Sequence, residues 1–238
     1  MDTKAKIIRP ETNEEEKDLI HKISDFISRK RVLFISAAAA VLGIVLIVGI
    51  YTVISNSKAE NSSRAMEEVR TQIATWNNET EEAKKTEIEN TIMADLDDVA
   101  KKWPKSFAAQ EALFTKSSLY AVKQNWANAE TASLEAAKRL PKTYLAPLAL
   151  ESAAVAAEEQ GKADIALEHY TSIITQYKED TPNLSHAYFS IGRLSEAKSD
   201  WKAALENYNK VLSDFSNTDW ALLAKDRVIY LKAQGYDK

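Results

Sequence analysis

The stretch Asp200-Trp201-Lys202-Ala203-Ala204 decides the fold, because two similar stretches precede it in the chain. They are Lys162-Ala163-Asp164-Ile165-Ala166 and Asn125-Trp126-Ala127-Asn128-Ala129. The alanines that end the three stretches are 37 and 38 residues apart. Self-similarity at a nearly constant period of this length is typical of repeat architectures, in which each repeat is one supersecondary unit.

Residues of similar size surround each of these alanines at fixed distances. Twelve residues earlier there is a small residue, and four residues later there is a tyrosine in the second and third units, where the first has Ser133. Two antiparallel helices per unit explain this pattern, because small residues at the crossing let the backbones approach while the ring fills the gap to the next unit. We therefore predict packing roles for Ala129, Ala166, Ala204, Tyr170, Gly192 and Tyr208.

This pattern resembles the tetratricopeptide repeat, and the resemblance covers residues 110–216 as three units. It implies an all-α fold, an α-solenoid of helix hairpins. Ser117 and Ala154 stand where the repeat has glycine, and Ser133 stands where it has an aromatic residue. We expect residues 55–109 to form lead-in helices of a degenerate repeat, and residues 217–238 to form a C-terminal capping helix.

A second feature is the apolar run of residues 32–54, which contains no charged residue, Asn, Gln or His. A helix of this length spans roughly 34 Å, enough to cross a hydrocarbon core of about 30 Å. A cleavable signal peptide is the competing interpretation, but its apolar core is about 7–15 residues long and follows a short basic start. The sequence therefore predicts a single transmembrane helix.

The basic residues beside this run predict its orientation. Five lie close before it and three lie close after it, with the cluster Arg29-Lys30-Arg31 directly at its N-terminal end. The positive-inside rule then places residues 1–31, with an amphipathic helix, in the cytoplasm. We expect the chain to be a single-pass protein of the inner (cytoplasmic) membrane whose C-terminal domain lies in the periplasm.

The composition disfavours several functional classes. The chain has no Cys, 5 Gly, 3 His and a net charge of −4. It lacks the glycine-rich phosphate loops, the nucleophile elbow and the zinc-binding H-E-x-x-H pattern. We therefore expect no catalytic residues, no metal, no cofactor, no small-molecule substrate and no nucleic-acid partner, and we predict that the protein is not an enzyme.

Protein binding is the remaining class, and the first helix of each hairpin would line the binding face. Counting from the small residue of each unit gives the residues that face inward. The candidate peptide groove is formed by Phe114, Leu148, Glu151, Val155, Phe189 and Arg193. Two interpretations stay open, because the groove could be free for an extended or helical peptide, or the lead-in helices could fill it.

The layout as a whole is similar to the YfgM-like family of ancillary SecYEG translocon subunits, whose repeat domain is related to that of the periplasmic cell-division coordinator. That resemblance implies a scaffold that contacts the protein-export channel, and soluble periplasmic clients or chaperones as partners. The alternative is a cell-envelope assembly scaffold of the division site or the flagellar periphery that uses the same fold for another membrane complex.

Overall fold

The computed structural model describes residues 14–177 and 181–236, and within these ranges it contains ten helices and no strand. Parts of the predicted segments 1–31, 110–216 and 217–238 therefore lie outside the described residues, namely 1–13, 178–180 and 237–238. The helices are α1 (Glu14–Arg29), α2 (Arg31–Asn78), α3 (Glu82–Lys102), α4 (Phe107–Val122), α5 (Trp126–Arg139), α6 (Leu145–Glu159), α7 (Ala163–Gln176), α8 (Leu184–Ala197), α9 (Trp201–Asp214) and α10 (Asp219–Ala233). The chain divides into two compact units, Met1–Ser57 and Lys58–Lys238.

The first unit contains α1 and the N-terminal part of α2. Its large apolar side chains are exposed, both on α1 and along the apolar run of residues 32–54. Among the described helices, α2 is the one that is long and apolar enough to cross a membrane. Length and composition support a membrane span here, although a signal sequence near an N-terminus meets the same test.

The apolar run and the first lead-in helix belong to one helix, Arg31–Asn78, rather than to two separate helices. Residues 55–62 contain neither Gly nor Pro, so nothing in the sequence interrupts the backbone hydrogen bonds. The helix ends at a polar turn. There the Glu79 carboxylate accepts hydrogen bonds from the backbone N–H groups of Thr80 and Glu81, at 2.8 and 2.9 Å.

The second unit contains three hairpins, α4–α5, α6–α7 and α8–α9, which pack against one another in chain order between α3 and α10. The first hairpin begins at Phe107, three residues before the predicted boundary, because the Ser106 hydroxyl accepts a hydrogen bond from the Ala109 N–H at 3.1 Å and caps α4. The turns inside the hairpins share one backbone geometry. Gln124, Gly161 and Ser199 have φ values of 57°, 73° and 61°.

Two groups of buried side chains hold the second unit together. The larger group runs from Met66 of α2 to Leu194 of α8 and includes Ile92, Leu96 and Tyr170. The smaller group joins α9 to α10 and is built around Tyr208. Each helix of the array therefore packs mainly on its neighbours in sequence, which is how repeat proteins distribute their stability.

Glu130 of α5 connects the first hairpin to the second through a partly buried polar cluster. Gln160 Nε2 donates to its carboxylate at 2.8 Å, and Lys162 Nζ and His169 Nε2 lie 3.4 Å from it. Burial raises the pKa of Glu130, but the hydrogen bonds from these three side chains outweigh burial and hold its pKa below the ordinary value.

A depressed carboxylate pKa predicts how stability changes with pH. The folded state gains from ionised Glu130 above the unfolded-state pKa of about 4.3, and this gain is lost as the pH falls through the lower folded-state value. We expect Glu130→Gln to cost about 1–2 kcal/mol at pH 7, with the difference from the wild-type chain shrinking below pH 4. Thermal unfolding of both chains from pH 7 to pH 3 measures this. The matched control is Glu135→Gln on the same helix, whose side chain is 54% exposed. A constant difference at all pH values would contradict the assignment.

Candidate peptide-binding groove

The six residues predicted to line a groove occupy three different environments. Phe114 of α4 is partly buried against the larger core group. Leu148 of α6 is also half-buried, whereas Glu151 and Val155 of the same helix border open space. Phe189 and Arg193 of α8 line a separate depression. The six predicted residues are therefore distributed over two separate recesses and the edge of the larger core group.

The first recess lies between α4 and α6 and has a volume of about 360 Å³. Its lining is rich in small side chains. The lining residues are Ser117, Ser118, Ala121, Trp126, Ala129, Glu151, Ser152, Val155 and Ala156. Two hydroxyls of the lining already donate to backbone carbonyls of their own helices, Ser118 to Phe114 O and Ser152 to Leu148 O, both at 3.1 Å. The recess can therefore take an apolar side chain without leaving these donors unpaired.

The repeat pattern explains why the recess lies in this hairpin. In the second unit Tyr170 donates to Glu158 at 3.0 Å, and in the third Tyr208 donates to Glu196 at 2.9 Å. The corresponding residues of the first unit are Ser133 and Ala121. There Ser133 contacts the Ser117 hydroxyl instead. Of the two corresponding residues, Ala121 lines the recess, where the other two hairpins have a glutamate.

The inner face between the second and third hairpins is closed by side-chain contacts. Arg193 Nη2 donates to both carboxylate oxygens of Glu158, at 2.8 and 2.6 Å. His186 Nδ1 contacts Glu151, and Asn183 Nδ2 donates to the same carboxylate at 2.7 Å. Arg193 is therefore engaged within the array.

α10 covers part of the predicted groove. The Trp220 ring stacks on His186 with ring centroids 4.2 Å apart and lies against Phe189 with centroids 5.2 Å apart. The depression beside it, of about 460 Å³, is lined by Phe189 and Arg193 together with charged and aromatic residues of α8, α9 and α10. At this end, the helix after the last repeat occupies the position that an apolar ligand group would need.

The lead-in helices contact the array at its opposite end. Arg70 of α2 donates to Glu111 of α4 at 3.1 and 2.5 Å, and Lys123 pairs with Glu89 of α3. None of the residues that line the recess comes from α2 or α3. The lead-in helices therefore do not fill this recess.

The residues predicted to pack the repeats lie in the interior. Ala129, Ala166, Ala204, Tyr170 and Tyr208 are each no more than 1% exposed. At Gly192 an added Cβ would lie 2.7 Å from the Tyr208 ring, so only glycine fits this crossing. Burial raises the pKa of both tyrosines, and the Glu158 and Glu196 carboxylates raise it further. Both phenols therefore stay protonated and act as hydrogen-bond donors.

The sequence interpretation missed two tryptophans. Trp126 lines the recess, and the Trp220 ring lies against Phe189. Trp126 lies inside the repeated stretch, so its position in the pattern was a usable signal. Trp220 follows the last repeat, where no internal alignment applies. The residues that the structure describes hold no group of three His, Asp or Glu side chains placed to bind a metal ion.

Comparison with known proteins gives one informative likeness. No protein-family model matches the chain. A protein described as "TPR repeat-containing protein" from Treponema pallidum (strain Nichols) is 28% identical to it over 148 residues. Together with the all-helical fold, this supports a tetratricopeptide-repeat family. The aligned region covers 62% of this chain and 61% of the relative, so the chain spans less than two thirds of that protein's length. Tetratricopeptide-repeat proteins are typically non-enzymatic scaffolds for protein–protein interaction.

Proposed function

We propose that this protein is a membrane-anchored scaffold that binds partner proteins through the recess between α4 and α6. The recess is the observation that carries the proposal, because none of its lining residues comes from α2, α3 or α10. Its small and apolar lining suits one apolar side chain of a peptide that lies along the groove.

The anchor in this proposal is the apolar run of residues 32–54, which stays uncleaved. The excess of basic residues before the run supports a cytoplasmic N-terminus and a periplasmic repeat array. In this arrangement the span docks beside a membrane complex, with the export channel as the first choice, and the array recruits soluble periplasmic clients or chaperones. The support for the export channel is the likeness in layout to its ancillary subunits.

Two measurements on the full chain test the anchor and its orientation. A C-terminal reporter that works only outside the cytoplasm is expected to be active, and the same reporter fused after residue 31 is expected to be inactive. The intact chain, with its N-terminal epitope, is expected to stay in the membrane after a carbonate wash. An inactive C-terminal fusion would overturn the orientation, and a shortened soluble product would show that the run is a signal peptide.

Affinity capture from gently solubilised membranes tests the partner. We expect export-channel subunits to copurify with the full chain. Recovery of division-site or flagellar components without any export-channel subunit would contradict this version and support the envelope-assembly scaffold. Imaging separates the same two functions, since an even distribution around the cell fits the export channel and discrete spots fit the alternative.

A further inference from the structure

The outer side of α10 is an apolar surface at the end of the array. Its inner side buries Ala221, Ala224, Val228 and Leu231. Its outer side leaves Leu222 66% and Ile229 57% exposed, with Leu223 and Tyr230 beside them. Of the nine large apolar side chains exposed in the described part of the second unit, four lie on this helix. Such a concentration of exposed apolar side chains on one helix marks a contact surface.

Acidic and basic residues lie on opposite sides of this surface. Leu222 and Ile229 are seven residues apart and form one ridge, because two helical turns bring them to nearly the same side. Asp226 lies about 50° to one side of the ridge and Lys225 about 50° to the other. Asp219 falls on the same edge as Asp226, and Lys232 on the same edge as Lys225. The ridge therefore has one acidic and one basic edge.

These charges have no ion-pair partner in the part of the chain that the structure describes. Elsewhere in the second unit charged side chains often pair with neighbours, as Arg227 of the same helix does with Glu196. Asp219, Lys225, Asp226 and Lys232 take part in none of the ion pairs between described residues, and all four are exposed. Their charges are available to a surface of opposite pattern.

We propose that this surface binds a second copy of the same chain, with the two α10 helices parallel. A two-fold axis along the helices places Leu222 against Leu222 and Ile229 against Ile229, and each acidic edge then meets the partner's basic edge. Asp226 of each copy lies beside Lys225 of the other at nearly the same height. An antiparallel pair would instead place acidic edge against acidic edge and basic against basic. The charge pattern is therefore complementary to itself in a parallel pair, which favours a second copy of the chain in that orientation.

The contact is small. Stable interfaces bury about 1,200–2,000 Å², whereas this contact is made by one 15-residue helix from each copy. Association of the full chain is therefore expected to be weak in detergent and stronger when both copies share a membrane, which raises their effective concentration.

Disulfide cross-linking of the full chain in membranes tests the contact, because the chain has no native cysteine. A disulfide needs Cα atoms about 4.4–6.8 Å apart. Leu222→Cys alone and Ile229→Cys alone are each expected to give cross-linked dimers. Coexpression of the two differently tagged variants is expected to give no excess of mixed 222–229 dimers. Lys138→Cys, an exposed position on α5, is the control for random collisions.

Charge reversal is the second test of the contact between the two copies. In the Leu222→Cys chain, Lys225→Glu is expected to weaken dimerisation about tenfold, because two exposed opposite-charge pairs become like-charge pairs. Adding Asp226→Lys exchanges the charges at positions 225 and 226, so that these positions again face opposite charges, and it is expected to restore most of the wild-type yield. Four results would overturn the proposal. They are dimer yields no higher than those of Lys138→Cys, a preference for mixed dimers, a covalent adduct with a different protein in place of the dimer, and no effect of Lys225→Glu.

Discussion

Replacing Tyr208 by alanine is expected to unfold the end of the array while the first hairpin stays folded. The Tyr208 side chain is fully buried, packs on Phe189 with ring centroids 5.5 Å apart, and fills the space over Gly192. Removing a buried aromatic ring costs about 3–5 kcal/mol. For a chain of this size that corresponds to a fall of roughly 10 °C in Tm.

The loss of structure should be confined to the end of the array, because Tyr208 belongs to the smaller core group and not to the one that spans α2–α8. Hydrogen exchange of the full chain measures this directly. We expect the amides of α9 and α10 to lose protection while those of α4 and α5 keep it. Tyr208→Phe is the matched control. It keeps the ring and removes the hydrogen bond to Glu196, which Arg227 still contacts, so it is expected to cost about 1 kcal/mol. A uniform loss of protection would contradict the division into two core groups.

Filling the recess is expected to abolish partner binding without unfolding the protein. Ala121 lines the recess of about 360 Å³, and a phenyl ring at this position would occupy the space proposed for a partner's side chain. Interface residues that fill a pocket at the centre of a contact often contribute about 2 kcal/mol or more. We therefore expect the Ala121→Phe chain to capture at least about tenfold less of the soluble partner proteins. Thermal stability should change little, because the new ring enters open space.

Val122→Phe is the matched control for this variant. Val122 is the next residue on α4, is 67% exposed and does not line the recess. It adds the same ring to the same helix, so capture is expected to stay at the wild-type level. Equal capture by both variants would show that partners bind elsewhere.

The sequence predicted the helices and their pairing well, because both depend on local and repeated features. Alanines such as Ala166 recur at the repeat period, and the capping residues Ser106 and Asp200 start helices within a few residues of the expected positions. The continuation of the apolar run into the lead-in helix was not predicted, since a polar stretch without Gly or Pro can either continue a helix or end it.

The groove was predicted less well, because its limits depend on contacts between residues far apart in the chain. Counting repeat positions gives Phe189 and Val155 the same inward orientation, and it contains no information on α10. The Trp220 ring lies against Phe189, while Ala121, which stands where the other two hairpins have a glutamate, lines the recess beside Val155. The small residue at position 121 was visible in the sequence. The recess that it lines could be recognised only from the packing of α4 against α6.

Site-specific photo-crosslinking in the full chain tests the central claim, that the recess binds partner proteins, most directly. A photoreactive amino acid at position 121 reports on what enters the recess, and the same amino acid at position 122 reports on the adjoining surface. We predict a discrete protein adduct from position 121 that is absent from position 122. Adducts of equal yield from both positions, or none from position 121, would contradict the account of the recess as a protein-binding site.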